Sequence, residues 1–372
     1  MKGTVLITGG AGFIGSHVAS ELLRAGYHVR VLDSLVTQVH GELPDRPNYL
    51  HKNAEFILGD VRNPEIVDEA LEGVDAVYHF VALVGVGQSM YQIAEYTSVN
   101  NLGTACLLER LVKKPVKKLV VASSMSVYGE GLYVTPSGAP YSQAMRSAKQ
   151  LKAHEWEMTT PGGEPLRPVA TPESKQPSLA SVYALSKYDQ EQMCLIVGRA
   201  YGLPTVALRF FNAYGPFQSL SNPYTGVLAI FASRLLNGER PIIFEDGQQL
   251  RDFVSVYDVA QACRLAIEVE TAQDLVFNIG SGVSIAVKDV ARKLAKVLGK
   301  NLEPEITAKY RVGDIRHCYP DISLAKRVLG YKPRVTLEKG MRDLADWLEQ
   351  QTTAHDRFNE MREELASRGL VV

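Results

Sequence analysis

A chain of 372 residues is long enough to bury one large core with a smaller lobe beside it, or two modest domains packed together. Its 40 basic and 41 acidic side chains nearly cancel, and 46% hydrophobic with 22% charged residues excludes disorder and the electrostatic footprint of a nucleic-acid binder. The four cysteines, Cys106, Cys194, Cys263 and Cys318, stand far apart without a C-x-x-C pair, which argues against a disulfide framework and a zinc site and for a reducing compartment.

Short apolar runs at 4–8, 29–33, 55–59, 76–80, 118–122, 205–208 and 276–279 read as buried strands, with segments of helical length between them. That alternation predicts an α/β fold, a doubly wound parallel sheet with helices on both faces. In the first helix Val18 and Leu22 recur at i, i+4, and Gly26 follows as a stop signal. Two stretches, 36–53 and the Pro-, Gly-, Ser- and Thr-rich 130–180, depart from the alternation and read as surface excursions, the longer one either a lid over a site or a passive decoration. The alternation also fails over 212–250 and after Gly280, so a smaller, discontinuous α/β substrate-binding lobe is expected from 212–254 and 280–350, beside a main domain of 1–211 and 255–279. The segment 337–365 is amphipathic. Trp347 can pack it onto the body, its last turns read as solvated, and 351–372 forms a C-terminal helical tail. The N-terminal apolar stretch is too short for a signal peptide and no run of about 18 apolar residues occurs, so a cytoplasmic chain without a membrane span is expected.

Gly9, Gly10, Ala11, Gly12, Phe13, Ile14 and Gly15 follow the first strand directly and open the first helix with the spacing G-x-x-G-x-x-G. Without Cβ atoms at Gly9 and Gly12, backbone N–H groups can approach a pyrophosphate, and Gly15 lets helix and strand pack closely, which makes this a Rossmann-type dinucleotide turn. Asp33 ends the second strand eighteen residues after Gly15, near the roughly 20-residue offset at which an acid meets ribose hydroxyls. Positions 34–36 hold no Arg or Lys for a 2′-phosphate, so NAD is favoured over NADP. Asp60 and Val61, after the third strand, are placed for adenine, although a strand-terminal Asp is also a common turn former. Phe80, Val81 and Ala82, after the fourth, line the cleft or belong to the core.

Tyr183 and Lys187 lie four residues apart at the start of a helical stretch, one turn apart on one face. An ammonium near a phenol favours the phenolate and makes the tyrosine a candidate general base. Ser123, Ser124 and Ser126 follow the fifth strand at the carboxyl edge of the sheet, where a hydroxyl can share the reacting proton. Together they make a Ser-Tyr-Lys set.

With these motifs in order, joined by 209–216 (R-F-F-N-A-Y-G-P) and 251–254 (R-D-F-V), residues 1–350 resemble the extended short-chain dehydrogenase/reductase family. The resemblance implies Ser124 as catalytic serine, Tyr183 as base and Lys187 on the nicotinamide ribose, with Gly9, Gly12, Phe13, Ile14, Gly15, Asp33, Asp60, Val61, Phe80, Val81, Ala82 and Ser123 along the cofactor. It implies Ser124, Ser126, Asn212, Arg251 and Arg311 toward a nucleotide-diphosphate sugar, and guanidinium forks suit a diphosphate. The loop 280–282 resembles the one near the substrate's nucleotide.

Dehydratases and decarboxylases resembling this chain carry a glutamate two residues before Tyr128, and the GDP-fucose reductase-epimerases a cysteine. Here the position is Ser126, beside Met125, so elimination lacks its usual acid and base. A 4-epimerase needs no such group, and the 130–180 insertion with the 221–226 segment gives a looser likeness to deoxysugar 4-epimerases of the dTDP-L-rhamnose type, next to UDP-galactose 4-epimerase-like enzymes. A 4-ketoreductase, decarboxylase or dehydratase of the same family, or a silent NAD or sugar-nucleotide sensor, are the alternatives. The family resemblance further implies a homodimer through helices near 99–113 and 183–201, with Cys106 and Cys194 as small buried residues there. Nucleic acid, membrane and metal are not expected as partners.

Overall fold

The computed structural model describes residues 2–41, 45–218, 226–311, 313–350 and 358–371. Its seven-stranded parallel sheet runs, in space, Val276–Ile279, Thr205–Phe210, Lys118–Ser124, Ala76–His79, Lys2–Thr8, Tyr27–Asp33, Glu55–Leu58. The chain thus winds outward from Lys2–Thr8 in one direction and resumes on its other side with Ala76–His79. The connections before and after this reversal diverge and leave a crevice between the carboxyl ends of those two strands. All seven expected strands are present, several a residue or two longer than their apolar runs.

Strands buried on both faces need apolar side chains on both, and they have them. Ile7, Val31, Tyr78, Val120 and Leu208 pack on one face, while Leu6, Leu32, Val77, Leu119, Val121 and Ala207 pack on the other. Helix Phe13–Arg24 covers the first face with Val18 and Leu22, both fully buried, and Gly26 closes its end at φ +87°.

The remaining elements gather beyond the carboxyl edge. Asn212–Tyr214 pairs with Leu250–Ser255, which also pairs with Ser284–Ala286 and His317–Cys318. Helices Val227–Leu236, Val287–Val297 and Leu337–Glu349 bury Phe231, Leu235, Leu294, Met341 and Leu344 in a core of their own.

The expected excursions have structure of their own, and one expectation, the solvated end of the last helix, needs correction. The 130–180 stretch is a structured excursion: Leu132–Val134 pairs antiparallel with Pro140–Tyr141 and Arg167–Val169 over a small core of Tyr133, Ala144, Met158 and Leu166. Prolines and glycines punctuate its short strands, which hides period-two alternation in runs of two or three residues. The last helix, Phe358–Ser367, is docked where a solvated end was expected. Leu365 is 3% exposed against Ile242 and Phe244, and Val371 bridges to Arg311. Leu370 and Val371 pack beside Leu365 and complete the contact. Within the 36–53 stretch, Thr37–His40 is helical and Tyr49 donates its hydroxyl to the Ala11 carbonyl at 2.9 Å, so that excursion braces the glycine turn.

Candidate active site

The glycine turn closes the first strand. Gly9 adopts φ +70°, and a Cβ there would stand 2.8 Å from the Val81 nitrogen, while one on Gly15 would stand 2.6 Å from the Gly9 oxygen. Helix Phe13–Arg24 starts at Gly12 without a side-chain cap and carries no acid in its first turn, so its leading N–H groups and dipole favour an anion. Asp33 ties the turn to the second strand, accepting from the Ala11 N–H and the Leu35 N–H, each at 3.0 Å. A dinucleotide's pyrophosphate fits this turn, because its uncapped helix start offers free N–H groups and its glycines let the backbone close up where a Cβ would collide.

Around the turn the other expected cofactor residues are unequal. Asp60 is gripped by Arg62, whose hydrogen bonds hold its carboxyl below the usual range against the effect of burial. Val61 is 3% exposed and packs in the core with Leu6 and Leu32, leaving its backbone for contact. Phe80 packs against Tyr78 and Phe210, and the Val81 carbonyl accepts from Gln190 at 3.1 Å. Ser123 faces inward: its hydroxyl donates to Glu191 at 2.6 Å, and Glu191 holds Arg209 at 2.6 Å and 2.9 Å. Arg209 reaches Tyr128, whose hydroxyl donates to Asn278.

Ser124 ends its strand and caps the short turn Met125–Tyr128. Its Oγ accepts from the Ser126 N–H at 3.2 Å and the Ser126 hydroxyl at 2.8 Å, which leaves its own proton for the phenol of Tyr183. Tyr183 enters helix Val182–Tyr201 one residue after its start. Ser181 caps that helix by accepting from Ala184, and Ser89 accepts from the Tyr183 N–H at 3.0 Å. Burial raises the phenol above its ordinary value and the Ser124 hydrogen bond opposes it. Ser126 is thus hydrogen-bonded to Ser124, and Ser124 stands near enough to the Tyr183 phenol to work against the effect of burial on it.

Lys187 is 3% exposed, and its ammonium donates to Gln190 at 2.7 Å. Burial lowers it from 10.5 to about 8, against the raising effect of Cys194 and Glu191. The spacing argument put phenol and ammonium side by side on one face; in the structure the ammonium turns to the Gln190 amide, and Ser124 is the group that lowers the phenol.

Asn212 holds a buried Oδ1 without a hydrogen-bond partner, an acceptor that a ligand donor would satisfy. Arg251 spends its guanidinium on the carbonyls of Leu250, Ile315 and Arg316 and lies 3.8 Å from Asp314. Arg311 pairs with the same Asp314 at 2.9 Å and stacks over Phe244. Burial works to raise the Asp314 carboxyl, but the two arginines hold it low. Both expected diphosphate ligands thus meet at one carboxylate. Of the 221–226 segment, 221–225 lie outside the described residues.

Sequence reasoning missed Asn100, Thr104, His79 and Gln190, all fully buried. Asn100 sits in the π-helical turn Thr97–Leu102 and clamps Leu83, accepting from its N–H at 2.8 Å and donating to its carbonyl. A usable signal existed for Gln190, which follows Lys187 at i+3 on one helix face. None of the described His, Cys, Asp or Glu residues forms a metal-binding cluster.

The model of the NAD-dependent epimerase/dehydratase family matches residues 5–154 and 158–280. The chain is 36% identical over 352 residues to the dTDP-L-rhamnose 4-epimerase of Burkholderia thailandensis, covering 93% of this chain and 95% of that one. The structure of Thermotoga maritima UDP-glucose 4-epimerase with UDP-glucose matches at a TM-score of 0.77 and 32% identity, covering 93% and 99%. That of Bacillus cereus UDP-glucuronic acid 4-epimerase with UDP-glucuronic acid and NAD matches at 0.77 and 27%, over the same shares.

Proposed function

The chain belongs to the NAD-dependent epimerase/dehydratase family, and on that premise we propose that it is a nucleotide-sugar 4-epimerase acting on a dTDP- or UDP-linked hexose or deoxyhexose. One observation carries this reading: Ser126 donates to Ser124 beside Tyr183, so where an eliminating enzyme would present an acid there stands a hydroxyl. Tyr183 takes the proton of the C4 hydroxyl and returns it, with Ser124 stabilising the phenolate between the two events. When bound, NAD supplies reversible hydride acceptance at C4. Gly9, Gly12, Phe13, Ile14 and Gly15 would hold its pyrophosphate, Asp33 its adenosine ribose, the 60–61 and 80–82 segments with Ser123 its flanks, and Lys187 with Tyr183 its nicotinamide end. Asn212, Arg251 and Arg311 would receive the sugar diphosphate, Arg251 and Arg311 by leaving Asp314 for phosphate oxygens.

The main sheet with 255–279 would form the cofactor domain and 212–254 with 280–350 the sugar lobe. Leu102, Leu185, Ile196 and Tyr201 are exposed on the helices expected to pair in a homodimer, and they would be its contact. Cys194 instead packs inward on the sheet with Leu119 and Val121. Among the described residues no helix is long and apolar enough to cross a membrane, and a cytoplasmic setting accords with four free cysteines.

The test is to denature the purified protein, identify any released nucleotide by mass spectrometry, and follow UDP-glucose, UDP-galactose and dTDP-L-rhamnose by NMR. Retained NAD with interconversion of a C4 epimer pair is expected. A protein that consumes added NADH with a 4-keto sugar and interconverts no epimers is a reductase, and the reading fails.

A further inference from the structure

Lys187 is held by a group that its own motif does not contain. The Gln190 amide has only one workable orientation, because the Val81 carbonyl can only accept and so faces the amide nitrogen at 3.1 Å. The amide oxygen is left for the ammonium, 2.7 Å away. Thr104 Oγ1 receives the second amide proton at 2.9 Å and gives its own proton to the Asn100 carbonyl at 2.5 Å. His79 must then donate to Thr104 from Nε2 at 2.8 Å, while its Nδ1 accepts from Thr8 at 2.8 Å. Burial, with a smaller effect of Lys187, lowers His79 to about 3, so it stays neutral in this chain of donors. Gln190 cannot turn without breaking its bonds to Val81, Thr104 and Lys187.

We infer that Gln190 is the positioning residue of this site, a neutral acceptor that aims the Lys187 ammonium and keeps its charge unneutralised. The inference rests on the reading of Lys187 as part of the reacting machinery. A carboxylate at this position would cancel the ammonium's field and oppose the Val81 carbonyl; an apolar residue would leave a buried charge without its acceptor. The other ionisable groups facing Lys187 do not replace it. Glu191 and Cys194 lie on its own helix, Glu191 already committed to Arg209 and Ser123, and His79 approaches from the neighbouring strand as a neutral donor.

Selective carbon-13 labelling of lysine side chains lets the Lys187 Cε signal, assigned by its loss in Lys187→Met, be titrated with no substrate present. Gln190→Met should move its midpoint down and Gln190→Glu up, each by roughly one pH unit. Coincident midpoints in the three folded proteins, or shifts in one common direction, overturn the inference. Should neither variant fold, Gln190→Asn keeps a neutral amide but withdraws its oxygen from the ammonium, and a midpoint unmoved by it is equally fatal. With UDP-glucose turnover as a second readout, the high-pH limb of kcat should follow the lysine midpoint. Midpoints that move as stated while no tested sugar turns over leave this inference standing and sink the epimerase reading.

Discussion

Lys187 and Arg316 are both buried cations, and the molecule treats them in opposite ways. Lys187, beneath the carboxyl edge of the main sheet, has a neutral amide for a partner and is pushed down to about 8 by burial. Arg316, fully buried beneath the insertion, meets Glu157 from that insertion together with Glu245 and Asp246. Burial works to discharge it as well, yet the carboxylates outweigh burial and raise it. A charge enclosed by opposite charges is fixed and serves as a staple; a charge offered only dipoles remains responsive. Arg146 reinforces the staple by pairing with Glu245 at 2.7 Å, so the insertion is clasped to the 245–246 turn by two arginines.

Three substitutions break or sharpen this contrast. The largest effect is expected at the responsive site, where Tyr183→Phe should cut kcat by about 10²–10⁴-fold with the melting temperature little changed. Turnover of a confirmed sugar substrate at the parent rate would remove Tyr183 from the mechanism. At the staple, Arg316→Met strips Asp246 and Glu157 of their buried cation, leaves Glu245 to Arg146 alone, and should cost about 3–5 kcal/mol in denaturant unfolding. A loss below that of an ordinary surface substitution would show that the clasp is dispensable. The smallest effect has the opposite sign. A lysine lowered from 10.5 to about 8 on folding costs stability wherever it must stay charged, below pH 8, and the cost fades as pH rises toward 10.5. Lys187→Met should therefore be more stable than the parent at pH 7, by about 1–3 kcal/mol, with the gap closing by about pH 10.5. Urea midpoints measured at both pH values check it, and a variant that is less stable at pH 7 contradicts the assignment of Lys187 as a responsive charge.

The seven strands, the glycine turn and the Ser-Tyr-Lys set were legible because each depends on neighbours in the chain: apolar runs for the strands, glycine spacing for the turn, one helical turn for Tyr183 and Lys187. Ser126 was also legible as a hydroxyl in place of an acid, although its hydrogen bond to Ser124 was not. Ser123 illustrates the limit. It stands beside Ser124, but strand alternation turns its hydroxyl into the interior, toward Glu191, 68 residues away. Arg251 was recognised as a guanidinium suited to a diphosphate, while its hold on the 315–316 carbonyls appears only once Leu250–Ser255 and His317–Cys318 are paired.

What the sequence determined by itself was the order of strands and helices, the glycine turn, the candidate reacting side chains and the missing acid, because local spacing dictates each of them. The tertiary structure alone decided which group holds each charge. Gln190 reaches Thr104 and Val81 across 86 and 109 residues, and Arg316 reaches Glu157 across 159. Contacts at such separations are set by how sheets and helices pack, and no periodicity within a segment encodes them.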